Sequence, residues 1–204
     1  MIDLSQASFV GPKYDDDRTL AIPPDMRDLL RLANGFILFG GGLHLRGVCE
    51  ISDWHSLLRV WTGEDALGNL YPSVHPDDIP FGENSLGDQF LLRAGSVMRL
   101  FGETGEIESV GLDLHGFLDL VSENSGELLS LSLLRQFESE YGPLEPGRLL
   151  SVYPPLCTRE AAAGVSLRAI PTLERIRFLA DFASQISSVR DDTTVQFNVR
   201  PPTH

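Results

Sequence analysis

The sequence predicts an α+β fold: a central, mostly antiparallel β-sheet arranged as a meander and flanked by helices, with a C-terminal helix-plus-strand extension. Two observations predict the sheet and its cover. Across 79–105, IPFGENSLGDQFLLRAGSVMRLFGETG, the apolar runs Phe90, Leu91, Leu92 and Val97, Met98, Leu100, Phe101 flank Ala94-Gly95, the pattern of a hairpin with a buried face. Elsewhere, apolar residues recur at helical spacing in several segments bounded by prolines, glycines and capping residues.

In chain order, 1–21 is weakly patterned, with Asp15, Asp16 and Asp17 as a solvated run. Pro23-Pro24-Asp25 opens a helix, since proline suits a first turn and Asp25 sits near the positive end of the dipole. Its stripe is Met26, Leu29, Leu30 and Ala33, and Asn34-Gly35 stops it. Over 36–46 a strand pair or broken strand turns at Gly40-Gly41-Gly42, and alternation puts Leu43 and Leu45 on one face with His44 and Arg46 outward. Ser52 is expected to cap a helix to Trp61 with Trp54, Leu57 and Leu58 on its stripe, and 62–78 reads as an irregular loop. Residues 107–110 form a third meander strand after the turn at Glu103-Thr104-Gly105. Asp113 caps a helix with Leu114, Phe117, Leu118 and Val121 buried, and a further helix turns Leu134, Phe137 and Tyr141 inward. Beyond 142, Tyr153-Pro154-Pro155-Leu156 is extended. Pro171 starts the longest helical pattern, and Val195, Phe197 and Val199 alternate as a terminal strand.

Composition bounds the function. With 42% hydrophobic and 22% charged residues among 204, the chain is an ordinary globular one. It divides into a segment 1–21, a core domain 22–142 and an extension 143–204 packed on that core. No run of eighteen apolar residues and no basic-then-apolar leader is seen, which predicts a soluble, cytoplasmic protein that binds no membrane. The formal net charge of −13 repels phosphate backbones, which disfavours direct nucleic-acid binding so that none is expected, and attracts basic surfaces. Cys49 and Cys157 stand far apart without CxxC spacing, His75 with Asp77 and Asp78 lacks the spacing of a calcium loop, and the glycine run lacks a phosphate-loop signature. No metal and no cofactor are expected. Carboxylate pairs exist in Glu83 with Asp88 and Glu103 with Glu106, but turns attract acids in any protein, and no hydrolase motif accompanies them.

Several motifs, in order, carry a family resemblance. Pro23, Pro24, Leu29, Leu30, Asn34 and Gly35 mark the first helix. The stretches Ile79-Pro80-Phe81-Gly82 and Gly87-Asp88-Gln89-Phe90-Leu91-Leu92 follow, then Gly95-Ser96-Val97 and a closing Gly116-Phe117-Leu118 helix. This series, over about 23–121, resembles the SUKH superfamily, named for fungal cell-wall-synthesis regulators and bacterial immunity proteins. Where the family commonly carries a tryptophan-containing strand, this chain has Met98-Arg99-Leu100-Phe101, and the chain from Leu144 onward goes beyond the resemblance.

The resemblance implies a SUKH-like fold without enzymatic activity and a protein-binding module of immunity type, which neutralises a toxin domain by covering it. A basic toxin domain would match the charge. A regulatory scaffold of the cell-wall-regulator type and a carboxylate-dependent hydrolase are the alternatives. Candidate partner-binding residues are Asp77, Asp78, Glu83 and Asp88 in the acidic loop and the turn before the hairpin, with Trp54 or Trp61 as an aromatic anchor.

Overall fold

A computed structural model describes residues 3–15, 20–50, 53–126 and 128–187. Its main sheet is a seven-stranded meander in chain order: β1 (Phe9–Val10), β2 (Phe36–Leu38), β3 (Leu43–Leu45), β4 (Ile79–Asn84), β5 (Gln89–Arg93), β6 (Ser96–Leu100) and β7 (Ile107–Ser109). Every neighbouring pair is antiparallel. The β5–β6 hairpin closes where Arg93 faces Ser96, and its turn residues Ala94 and Gly95 have φ of 49° and 84°. Positive φ at both positions is what the type I′ turn requires to match strand twist.

Helices cover both faces of this sheet. On one side lie α1 (Pro24–Leu32), α4 (Leu114–Glu123) and α5 (Leu131–Tyr141). Met26, Leu30, Phe117, Val121 and Leu134 from these helices share a buried cluster with Phe36, Leu43, Leu45, Phe90 and Leu92 from the strands. Asp113 caps α4 by accepting the Gly116 N–H at 2.8 Å. On the other side, α2 (Leu57–Trp61), α3 (Leu67–Leu70) and α6 (Thr172–Ile186) bring Val60, Leu67, Ile176 and Ala180 onto Leu91 and Leu100. Double cover explains why Phe90, Leu91 and Leu92 run without a polar interruption.

A second sheet pairs β8 (Arg148–Tyr153) with β9 (Ser166–Pro171), antiparallel, and the Leu150 N–H donates to the Ser85 carbonyl at 2.8 Å to join it to the β4–β5 turn. The sequence reading had the 153–156 stretch extended but no strand pair there. The expected α+β meander with helical flanks and a C-terminal helix is the architecture observed, while the expected strand at 194–199 lies outside the described residues. Among the described residues, no helix is long and apolar enough to cross a membrane.

Five local expectations change. The helix expected from Ser52 is only α2, and Trp54 precedes it, because Gly47 and 55–57 bond as a short bridge in which Leu57 N–H donates to Gly47 at 2.8 Å. The 62–78 loop contains α3, and the N-terminal segment supplies β1. Tyr141 is 65% exposed at the last turn of α5, stacked on buried Phe137 at 5.2 Å, rather than inward. His44 and Arg46 point away from the main apolar cluster as alternation demands, yet both are buried, because that face too is covered.

Candidate functional site

Register across the meander draws one row of side chains together. Phe9 faces Ile37, Ile37 faces His44, His44 faces Glu83 and Glu83 faces Gln89. Facing residues of a sheet lie within about 5 Å of one another, so three adjacent strands, β3, β4 and β5, place an imidazole, a carboxylate and an amide side by side in the interior. Arg46, two residues beyond His44, extends over the same group.

The hydrogen bonds are dense and fully internal. Glu83 is 0% exposed; its Oε2 accepts from Arg46 at 2.7 Å and from Gln89 at 3.1 Å, and its Oε1 lies 2.8 Å from His44 Nδ1. Arg46 also donates to the carbonyls of Pro80 at 3.0 Å and Gly82 at 3.3 Å, and to the Gln89 side chain at 2.6 Å. From His44 the chain continues: its Nε2 lies 2.8 Å from His55 Nδ1, and His55 Nε2 donates to the Asn34 backbone carbonyl at 3.0 Å. Asn34 in turn clamps Val48 with two side-chain hydrogen bonds of 2.7 and 3.0 Å.

On one side His55 is housed by bare backbone. A β-carbon at Gly47 would collide with the Asn34 carbonyl and lie 2.6 Å from His55 Nε2, and one at Gly35 or Gly11 would also strike the His55 ring. Only glycine fits such an approach. Outside, Trp54 closes the group, with ring centroids 5.0 Å from His44, 5.4 Å from His55 and 5.2 Å from Phe9.

Burial and charge set the protonation of these groups. Burial pushes His55 down to about 4, and the charges of His44 and Arg46 add to it. Burial works against an ionised Glu83, but Arg46, His44 and Gln89 outweigh it and hold the carboxyl below the usual range. On His44, burial is the largest influence and with Arg46 acts against the charged ring; the hydrogen bond and charge of Glu83 act for it without outweighing burial, so this balance leaves the imidazole below its ordinary value.

The expected acidic face does not assemble. Glu83 is the centre of the buried group. Asp78 is buried and accepts both Arg93 bonds at 2.7 Å plus the His75 N–H at 2.8 Å, closing the 75–78 turn. Asp88 accepts from Arg99 at 2.6 Å, Asn84 at 3.1 Å and the Gly102 N–H at 3.0 Å. Asp77 alone of the four stands in solvent. Of the tryptophans, Trp54 is half-buried over the histidines and Trp61 half-buried against the main core. Asp78 and Asp88 each sit in a turn where they accept a backbone amide and an arginine, and Glu83 is taken up inside the sheet by Arg46, which is why sequence clustering did not produce an open patch. Among the described residues, no cluster of three or more histidines, cysteines or acids is placed to hold a metal.

The chain matches no protein-family model and no curated protein.

Among the described residues, four other aromatics face solvent, Phe39, Tyr141, Tyr153 and Phe178, and two of them, Phe39 and Tyr141, belong to a turn and the helix it rests on. Between β2 and β3 the chain makes a single tight turn, Phe39–Gly41, with Phe39 at φ 54° and its side chain 36% exposed. The turn lies on α5: a β-carbon at Gly40 would lie 2.5 Å from the Glu138 carboxylate and one at Gly41 3.0 Å from Leu144. Tyr141 is one turn on from Glu138 and Phe137, on the same side of the helix. Helix α5 carries Glu138 and Glu140 against Arg135 alone, and Glu138 is the acid whose carboxylate lies against this turn. Sequence reading missed it because Tyr141 continues an apolar stripe and Phe39 precedes three glycines that read only as a turn.

Proposed function

We propose that the protein is a non-catalytic binding module that docks a basic protein domain on the Phe39/Tyr141 ledge, most simply a toxin domain that it neutralises by occlusion. Phe39 carries this reading. A bulky residue in the left-handed region is strained, glycine would fit there without strain, and the turn presents an aromatic side chain to solvent while the helix it rests on presents a second, Tyr141. Aromatic anchors in an acidic rim are the composition of an interface that selects a basic partner.

Two further features support it. The net charge of −13 favours a basic partner, and the order of sequence motifs resembles the SUKH superfamily, whose bacterial members include immunity proteins. Against the hydrolase alternative, the groups best suited to chemistry are held by neighbours: His44, Glu83 and Asp88 as above and Glu103 by the Cys157 N–H at 2.9 Å, while Glu106, its sequence partner, stands exposed and accepts from Thr104. A regulatory scaffold would use the same ledge and inhibit nothing.

The test is titration of the purified chain against a toxin domain encoded beside its gene, with toxin activity as the second readout. A one-to-one complex that silences the toxin is expected, weakened roughly thirtyfold by Phe39→Gly or Tyr141→Ala, the effect of losing about 2 kcal/mol at an anchor. Binding that ignores both substitutions, or no binding to any neighbouring gene product, would refute the assignment. A complex without inhibition would favour the scaffold.

A further inference from the structure

The hydrogen-bond chain Asn34, His55, His44, Glu83 is one proton short when its groups are counted in their ordinary states. It has three links: the Asn34 carbonyl to His55 Nε2, His55 Nδ1 to His44 Nε2, and His44 Nδ1 to Glu83 Oε1. Each link needs one proton. Two neutral imidazoles carry two protons between them, and ionised Glu83 carries none. Because the carbonyl can only accept, His55 Nε2 must hold its proton, which leaves His55 Nδ1 as a bare acceptor. His44 must then donate from Nε2 to reach His55 and from Nδ1 to reach the carboxylate, and a neutral ring cannot do both.

We propose that this chain is a proton-binding site that holds a third proton, seated on His44, and thereby fastens the 53–56 segment to the sheet. The proton makes His44 an imidazolium between the Glu83 carboxylate and the His55 acceptor, completing all three links without moving an atom. Burial and Arg46 act against that charge and, even with Glu83 set against them, leave the ring below its ordinary value; the nitrogen-to-nitrogen separation, which that balance does not count, acts for the charge and decides. Two lone pairs at 2.8 Å in a dry interior repel, whereas 2.8 Å is the distance at which a proton is shared.

The charged and titratable surroundings of His44 are few. Glu83 faces it from β4, Arg46 from its own strand end, and His55 from the 53–56 segment; β5 contributes the Gln89 amide, and β1 and β2 present Phe9 and Ile37, which do not titrate. Arg46 and Gln89 both bond Oε2, leaving Oε1 to His44 alone. The three-glycine cradle and the Trp54 lid keep water from substituting for the missing proton.

The site accounts for two ways of opening the latch. Removing the third proton sets acceptor against acceptor at the His44–His55 contact; adding a fourth, on His55, sets donor against donor. Between these limits the segment carrying Trp54 is held. The sign follows: a His44 held protonated in the fold adds stability that is whole below its ordinary value near 6.5 and is lost as pH rises through the folded value.

Ring-nitrogen NMR of the full 204-residue chain tests this directly. At pH 7 we expect one histidine of five with both ring nitrogens protonated and a second with only Nε2 protonated, the first holding its proton to a pH above the ordinary imidazole range. Two network rings each carrying a single proton at pH 7 would overturn the proposal. Glu83→Gln is the second arm, because its amide N–H supplies the missing proton covalently to His44 Nδ1. The doubly protonated signal is expected to vanish in that variant, together with the fall in urea midpoint between pH 7 and 9. Persistence of either in a folded variant would overturn the proposal, and if the variant fails to fold the wild-type spectrum decides.

Discussion

Arg46→Met is the sharpest test of what holds the centre of the sheet. Arg46 and Glu83 are both 0% exposed at the side chain and meet at 2.7 Å. Methionine fills most of the volume but removes the positive charge and three further donations, to Pro80, Gly82 and Gln89. Breaking a buried pair by deleting one member costs about 3–5 kcal/mol, since the other charge stays desolvated. That is a large share of the roughly 5–15 kcal/mol that stabilises a domain. With a urea slope of about 2 kcal/mol per molar, a loss of about 4 kcal/mol lowers the midpoint by roughly 2 M. Removing both charges, as Arg46→Met with Glu83→Leu, is expected to recover part of that loss, because no buried charge remains uncompensated. Asp28→Asn is the control: its pair with Arg31 is solvent-exposed and worth under about 0.5 kcal/mol. A single-variant loss below about 1 kcal/mol, or a double variant no better than the single, would refute the reasoning.

Other expected outcomes follow from the same geometry. With His55 pushed down to about 4, its contribution is whole above pH 6.5 and is lost as pH falls from 6.5 toward 4; the loss approaches about 3 kcal/mol, read as a falling urea midpoint over that window. Asp65→Asn unties α6 from the α2–α3 turn by weakening bonds to Arg59 at 2.7 Å and Arg177 at 2.6 Å, and a loss of about 2 kcal/mol should lower the melting temperature by roughly 4–8 °C. Gly47→Ala forces a methyl onto the Asn34 carbonyl and the His55 ring, and is expected to cost about 2 kcal/mol or more by the same melt, whereas Gly95→Ala, with open space at the hairpin tip, should disturb only the turn conformation.

Much of this fold is legible in the sequence because its signals are local. The Asn34-Gly35 stop, the Ala94-Gly95 turn, the Asp113 cap and the stripe of α6 each follow from a few adjacent residues, and the sheet is assembled by joining neighbours in order. The buried site is illegible for the opposite reason. His44 and Glu83 are 39 residues apart, and they meet only because the β3–β4 register sets one against the other. One signal does point there. Phe90-Leu91-Leu92 runs apolar through both faces of its strand, which requires cover on both sides. Carried across β4 to β3, that inference puts His44 and Arg46 indoors, where each needs a partner and Glu83 on the intervening strand is the acid in reach. Alternation within β3 alone, read without its neighbours, sends them to solvent.

The acids taken indoors also change what the charge count means. Glu83, Asp78, Asp88 and Asp65 are matched by Arg46, Arg93, Arg99, Arg59 and Arg177, so the acidic excess of the chain is carried by other, outward residues rather than by the turns that the sequence singles out. An outward field of this kind acts on encounter more than on grip. A basic domain approaching the Phe39/Tyr141 ledge is steered by charges spread over the surface, and salt shortens the reach of that steering from about 10 Å at 0.1 M to about 3 Å at 1 M. The two aromatics act only on contact and are indifferent to screening. Raising salt should therefore slow association by an order of magnitude or more while changing dissociation little, and Phe39→Gly should do the reverse. Stopped-flow measurement of both rates separates the two effects, and an association rate indifferent to salt would remove the acidic surface from the account of binding.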